Sequence, residues 1–296
     1  MSAERKVAQE AAEWGLQKVG GRPPLVDYIK DLIRRRQFIT AFARFKIQAE
    51  NQRNQLGTGW VVIKPLLSAG VFGLVFGVLM RSRESTPHFI AFLLIGVFMF
   101  EFFSSSLGAG AKSISSNAAL VQSLSFPRMT LPVSVVTQKF MQLIPAMGVM
   151  LLILIGMGSR PRLEWLLLIP VVAMFYMFNI GLVLIVARIT VHLRDFANLL
   201  PFIIRFFFFT TGVFFSLELR FASHPEFLKW LNFQPIHVFL SLSRSLLLDT
   251  PADFEGPPIF DVNPWYWLIA FVWSVVVLVL GTLFFWAAEE RYGRVD

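Results

Sequence analysis

Long uninterrupted apolar blocks, rather than an alternation of apolar and polar faces, set the pattern of this 296-residue chain. The first sixty residues are polar and charged, and apolar sequence begins only near Trp60. Blocks then run at 60–80, 89–107, 131–157, 165–187, 199–217 and 265–288. Each is close to the roughly 20 residues that carry a helix across the hydrocarbon core of a bilayer. The pattern predicts an all-α membrane protein with six transmembrane helices. Trp60, Trp165, Trp265 and Trp286 fall at block ends, where interfacial aromatics sit, and Lys64 is placed to snorkel.

Two further segments follow other patterns. After the breaker "GGRPP" at 20–24, residues 25–50 carry apolar positions at helical spacing. Leu25, Ile29, Leu32 and Ile33 form one stripe; Ile39, Phe42 and Phe45 continue it with a phase slip near "RRR". Basic flanks beside a span predict a helix, broken in the middle, lying in the membrane interface; an ordinary soluble helix is the plainer alternative. Residues 224–248 are apolar but interrupted by Lys229, Asn232, Pro235, His237 and Arg244. They predict an external re-entrant helical hairpin before the last span, within a gate region at about 218–263, because non-helical backbone at membrane depth needs protein or water around it. The chain thus divides into an N-terminal arm, 1–59, and a transmembrane domain, 60–296.

Composition agrees with a membrane protein. The chain is 55% hydrophobic with 32 Phe, and its 16% charged residues fall well below the quarter usual in soluble domains. Cysteine is absent, which removes disulfide and thiolate chemistry. The net charge of +8 is concentrated in the arm, where eleven of 27 Lys/Arg lie in residues 1–60. There they meet anionic headgroups or a cytoplasmic partner rather than nucleic acid. With a cytoplasmic N-terminus, seventeen cations face inward and seven outward, so both termini are expected inside. Residues 108–130 then return to the cytoplasm, and "SFPRMTLP" (125–132) becomes a cationic elbow with Pro132 in the first turn of the third span.

Candidate chemistry is sparse. "SSSLGAGAKS" (104–113) looks briefly like a phosphate-binding loop, but Ala111 and Ser106 stand where glycines are needed. No Gly-Lys dipeptide occurs, so ATP and magnesium are expected on a separate subunit. The four histidines lack metal-ligand spacing and read as loop or interface residues, and Glu289 and Glu290, being adjacent, point to different faces of a helix. No catalytic or metal site is predicted. Polar residues inside spans are the better functional candidates: Glu101, Gln138, Lys139, Gln142, Asn179 and Arg205. Glu101 and Lys139 are expected to pair near the cytoplasmic side; otherwise these groups serve as glue between helices. "RFFFFTTGVFF" (205–215) holds six phenylalanines. Phe206, Phe209 and Phe214 are the candidates for rings against which a sugar stacks its C–H face, and lipid-facing bulk is the plainer reading.

Four segments, in order, carry a resemblance. "NQLGTGWVVIKPLL" (54–67) has Leu56, Gly57, Trp60 and Pro65 at the start of the first span. "NAALVQSLSFPRMTLPVS" (117–134), "VHLRDFANLLPFIIRFFFFTTGVFFS" (191–216) and "FQPIHVFLSLSRSLLL" follow, with Gln234 where an asparagine is usual. In these the chain resembles the membrane subunits of ABC-2-type polysaccharide, O-antigen and teichoic-acid exporters (Wzm/TagG-like permeases), with a texture most similar to actinobacterial exporters of lipid-linked galactan. The resemblance implies six spans with external re-entrant gate helices. It also implies a homodimer with two ABC ATPase subunits in the cytoplasmic membrane and a lipid-linked glycan as substrate. Asn117, Leu120, Phe126, Pro127, Arg128, Arg194 and Asp195 would be the ATPase-coupling residues, and Glu101, Lys139, Gln142, Phe206, Phe209 and Phe214 would border the translocation path. Three alternatives remain at this level. One is a drug or peptide exporter of the same group. Another is an ion-coupled transporter, which would need inverted repeats and paired midplane carboxylates where only Glu101 is found. A membrane glycosyltransferase would need acidic loop residues, for which Asp195 and the acids of 249–261 are the only supply.

Overall fold

A computed structural model describes residues 23–52, 55–75, 88–123, 126–221, 226, 230–231, 233–250, 260 and 263–289. Among them, all regular structure is helical. The amphipathic segment forms α1 (Leu25–Arg34) and α2 (Arg36–Asn51), parted at Arg35, whose φ/ψ of −85°/15° leaves the helical region where the apolar stripe changes phase. The buried stripe differs from the expected one. Tyr28, Ile39 and Ala43 face the protein, while Val26, Ile33 and Phe45 point outward, where an interfacial helix would meet acyl chains.

The transmembrane domain follows as α3 (Trp60–Leu74), α4 (Phe89–Ala111), α5 (Ala118–Ser123), α6 (Thr130–Gly156), α7 (Leu168–His192) and α8 (Phe196–Thr210). It ends with α9 (Leu217–Arg220), α10 (Pro235–Leu247) and α11 (Trp265–Trp286). Among the described residues, four helices are long and apolar enough to cross a membrane: α4, α6, α7 with the 3₁₀ turn preceding it, and α11. The other two expected spans are shorter. The described part of α3 has 15 residues, and the end of block 60–80 lies outside the described residues. Block 199–217 is a 15-residue helix shifted toward the N-terminus, about 22 Å long. It stops because Gly212 adopts φ +71° and Ser216 caps the next turn, giving its hydroxyl to Leu219 N–H as acceptor. Arg188 lies in the last turns of α7 with its guanidinium 3.9 Å above the Phe284 ring. Of the expected hairpin, the second limb is α10, a buried 13-residue helix opened by Pro235. Residues 222–225, 227–229, 232, 251–259 and 261–262 of the gate region lie outside the described residues, as do 1–22 of the arm.

α4 is the central helix, packed on α6, α7, α8 and α10 through a continuous apolar core. The tightest approach is between α7 and α11. A Cβ on Gly281 would stand 2.1 Å from the Gly181 carbonyl oxygen, and one on Gly181 would stand 2.3 Å from that of Val277, so the two backbones touch where side chains are missing. Ser274 on α11 donates to Met174 O of α7 at 2.9 Å beside this contact. A second, smaller core lies at one end of the bundle. It joins Tyr28, Ile114, Val121, Met129, Leu131, Leu184, Ala187, Phe285 and Ala288, and thus the arm, the elbow and the feet of α6, α7 and α11.

Candidate functional site

The elbow is the first of three polar arrangements. Proline has no N–H to continue a helix, so the chain turns at Pro127, whose carbonyl accepts from Thr130 N–H at 3.0 Å and Thr130 Oγ1 at 2.7 Å as α6 begins. The elbow does not project freely. Arg128 N–H donates to Glu289 Oε1 at 3.0 Å, and the Arg128 guanidinium donates to the Glu289 carbonyl. Met129 N–H donates to the Tyr28 hydroxyl at 3.1 Å, which itself donates to Glu289 Oε2 at 2.8 Å. Burial raises the Glu289 carboxyl above its ordinary value, against the opposing hydrogen bonds of the Arg128 N–H and Tyr28. Phe126 rests on Phe38 of α2, ring centroids 6.0 Å apart. Leu120 packs on the small core, and Asn117 Nδ2 donates to Ser113 O at 2.7 Å within its own turn. Arg194 and Asp195 occupy the exposed turn joining α7 to α8.

The second arrangement is a cavity of about 580 Å³ bordered by α2, α3, α4, α6 and α8. Glu101, Lys139 and Gln142, predicted separately from three positions in two spans, all line it. Their pairing differs from expectation. Lys139 Nζ meets Glu50 at 3.3 Å, not Glu101. Gln138 donates to Glu50 Oε1 at 2.7 Å and Gln142 to Oε2 at 3.1 Å. The last turn of α2 reaches α6, so the acid nearest the α6 cation belongs to the arm, 89 residues away in sequence. Burial acts to raise the Glu50 carboxyl, but Lys139 and the two amides outweigh it and hold the pKa below its ordinary value. Burial lowers the pKa of neighbouring Lys46. Glu101 faces the same space and feels Lys139 and Lys64 at a distance. Of the phenylalanine run, the cavity takes Phe208. Phe206 and Phe209 turn outward, 65% and 55% exposed, and Phe214 stands edge-on to Phe208 with centroids 4.7 Å apart. Arg205 is exposed, and Asn179 bonds the Phe175 carbonyl one turn back, as a structural residue would.

The third arrangement is on α10, at the opposite end of the bundle from the small core. Arg244, only 4% exposed, donates to three carbonyls: Phe92 at 3.2 Å, Gly212 at 2.9 Å and Val213 at 3.1 Å. Its guanidinium lies 3.4 Å above the Phe92 ring, and Gly96 leaves the room it occupies. His237 is not a loop residue but fully buried: Nδ1 meets Thr211 O at 3.3 Å, and Nε2 meets Ser241 Oγ at 3.3 Å and Glu218 at 3.5 Å. Glu218 also accepts from Ser216 Oγ at 2.6 Å. Burial acts to raise its carboxyl, yet His237 and Ser216 together bring the pKa down to about 2.

Comparison with known proteins places this geometry. The sequence profile of the ABC-2 type transporter family matches residues 36–248. The chain belongs to the ABC-2 type transporter family. It is 28% identical over 271 residues to an O-antigen export system permease protein RfbA of Myxococcus xanthus, covering 91% of this chain and 99% of that one. A Klebsiella pneumoniae protein of the same description is 24% identical, over 80% and 86% of the two chains. A Neisseria meningitidis capsule polysaccharide export inner-membrane protein, CtrC, is 24% identical over 86% and 92%.

The ABC-2 match encloses the elbow, the cavity and Arg244, but Tyr28 and Glu289 lie outside it. Sequence reading missed Glu50, Tyr28, Glu218 and Glu289. For α10 of this ABC-2 protein a signal was present. His237, Ser241 and Arg244 stand at i, i+4 and i+7, a polar stripe on one face of an otherwise apolar helix. Among the described residues no cluster of three or more metal-ligating side chains occurs.

Proposed function

We propose that this ABC-2 protein is the permease subunit of an ATP-driven exporter that moves a lipid-linked polysaccharide from the cytoplasmic to the outer face of the cell membrane. The observation that carries the reading is end-to-end similarity to O-antigen export permeases, 99% of one of them. The cavity supports it chemically. Lys64, Lys139, Glu50, Glu101 and Gln142 offer hydrogen-bond donors and acceptors beside Trp60, Phe98 and Phe208, the mixture that suits a polyhydroxylated chain with apolar C–H faces. A galactan is the specific substrate we assign, with two copies of this chain and two ABC ATPase subunits as the working assembly and both termini cytoplasmic. The ATPases hydrolyse ATP with magnesium and press on the elbow around Phe126 and Arg128.

The test is reconstitution. The chain purified alone should hydrolyse no ATP, and with its co-purifying ATPase in vesicles it should deliver lipid-linked glycan to the far side only when ATP is supplied. Robust hydrolysis by the isolated chain would remove the two-subunit reading, and ATP-driven transport of drugs or peptides without glycan would replace the substrate. Phe126→Ala and Arg128→Glu should leave the chain inserted and abundant while export falls; unchanged ATPase retention together with unchanged export would reduce the elbow to a connecting loop.

A further inference from the structure

Helix α6 is held at its start by residues far away in sequence. Its first-turn N–H groups are met locally, Thr130 by the Pro127 carbonyl and Leu131 by that of Arg128, and Pro132 has no N–H to satisfy. The N–H groups of Met129, the cap residue, and of Arg128 before it find their acceptors near the two ends of the chain. Glu289 accepts from Arg128 N–H across 161 residues, and Tyr28 accepts from Met129 N–H across 101. The two acceptors are tied to each other by the 2.8 Å bond from the Tyr28 hydroxyl to Glu289. The result is a closed ring: both Glu289 oxygens are used, and Tyr28 both donates and accepts. A carboxylate at this position also meets the positive end of the α6 dipole.

The ring lies inside the small core. Tyr28 is 2% and Glu289 6% exposed, and Met129, Leu131, Phe285 and Ala288 pack around them. Trp286 Nε1 donates to Pro23 O at 3.0 Å and closes the same junction from outside. Two linked side chains holding neighbouring N–H groups at a helix start fix both position and direction, which an apolar contact alone does not.

We infer that Tyr28 and Glu289 are positioning residues that bind the elbow to the foot of α11 and to α1, so that a push on the elbow displaces all three as one body. The inference rests on the reading of the elbow as the ATPase contact. It adds that the last helix, and not only α6, receives the displacement directly. Neither residue lines the cavity, and Glu289 meets the Arg128 guanidinium through its backbone carbonyl, which side-chain substitutions keep, so loss of the ring should spare ATPase binding and degrade the yield of transport per ATP.

The experiment uses the full chain with its ATPase in vesicles, comparing Tyr28→Phe, Glu289→Ala, the double variant and Glu289→Gln. Three quantities are read: ATPase retained, ATP hydrolysed and glycan exported. We expect retained ATPase and hydrolysis close to wild type, with glycan per ATP lower by roughly tenfold in Glu289→Ala. Glu289→Gln, which keeps one accepting oxygen, should recover part of the loss. The double variant should be no worse than Glu289→Ala, because both changes break one ring. Should Glu289→Ala fail to assemble, Tyr28→Phe decides, since it keeps the ring packing and removes only the hydroxyl. Wild-type glycan per ATP in Tyr28→Phe and in whichever Glu289 variant assembles would overturn the inference while leaving the exporter reading intact. A wild-type chain that retains no ATPase would overturn that reading and the inference with it.

Discussion

Replacing Arg244 with methionine would remove the cation that fastens α10 to the rest of the bundle while keeping most of its volume. The cost follows from what is left behind. Gly212 and Val213 carbonyls sit in a turn, and the guanidinium is the hydrogen-bond donor seen at each of them. A buried acceptor stripped of its donor costs about 1–3 kcal/mol. The stacked contact over Phe92, 3.4 Å from ring to guanidinium, adds on the order of 1–2 kcal/mol in a desolvated site. Against this, methionine escapes the desolvation cost of burying an ion, which is several kcal/mol. The balance is a net loss of roughly 2–4 kcal/mol. Arg244→Lys should lie between, because a single ammonium lacks the planar fork that reaches three carbonyls. Thermal unfolding in detergent, followed by tryptophan fluorescence, measures this. Trp273 bonds the Phe233 carbonyl at 3.0 Å beside α10 and is well placed to report. At roughly 2 °C per kcal/mol for a chain of this size, the methionine variant should melt about 4–8 °C lower. A melting temperature within about 1 °C of wild type would show that the socket contributes nothing and that apolar burial alone holds α10.

Other changes test separate contacts. Gly281→Ala places a Cβ 2.1 Å from the Gly181 oxygen and should cost at least the 1–3 kcal/mol typical of overpacking, whereas Gly148→Ala on α6, with open space around it, should be neutral or slightly stabilising; melting temperatures compare them. Glu218 has a folded pKa of about 2, below its ordinary value, so its contribution is complete above about pH 4.5 and is lost as pH falls toward 2. Wild type should therefore lose stability in that window and Glu218→Gln should lose less, the remainder including the share of Glu50; identical acid profiles would contradict the pairing. Glu50→Ala leaves Lys139 without its carboxylate and should loosen α2, read as faster tryptic cleavage at Arg44 and Lys46 together with reduced export. In intact cells of the cysteine-free chain, an impermeant thiol reagent should label Asp253→Cys and spare Ser116→Cys, and the reverse result would turn the topology over.

The long helices were legible because hydropathy integrates over 20 residues and ignores detail. Thr130–Gly156 and Trp265–Trp286 fall within two residues of the blocks read from sequence. Where the apolar run crosses a turn, the same measure fails. "FFFFTTGVFF" is apolar on both sides of Gly212, and only its positive φ and the Ser216 cap reveal that the helix has ended. Pairing was illegible for a different reason. Lys139 was matched with the acid closest in depth, Glu101, but burial is decided in three dimensions and α2 folds back to supply Glu50. Glu289 was dismissed because two adjacent carboxylates point to different faces; that spacing argument holds, and it was silent on the one face that carries Arg128 and Tyr28. Polar residues that bond distant backbone leave no periodic trace in a sequence.

The ring at the foot of α6 also sets an order of events during synthesis. Arg128 emerges 161 residues before Glu289, which at about 5–20 residues per second is a wait of roughly 10–30 s with the elbow uncapped. Within that interval α6 and α7 join α4 in becoming available to enter the membrane, while the platform they share with the arm is incomplete. The platform closes only when the final helix has been inserted and its end has turned back to Tyr28. A chain that stalls or is cut before Glu289 therefore presents a loose elbow, and the junction of α1, α6 and α11 becomes firm only once Glu289 has been made.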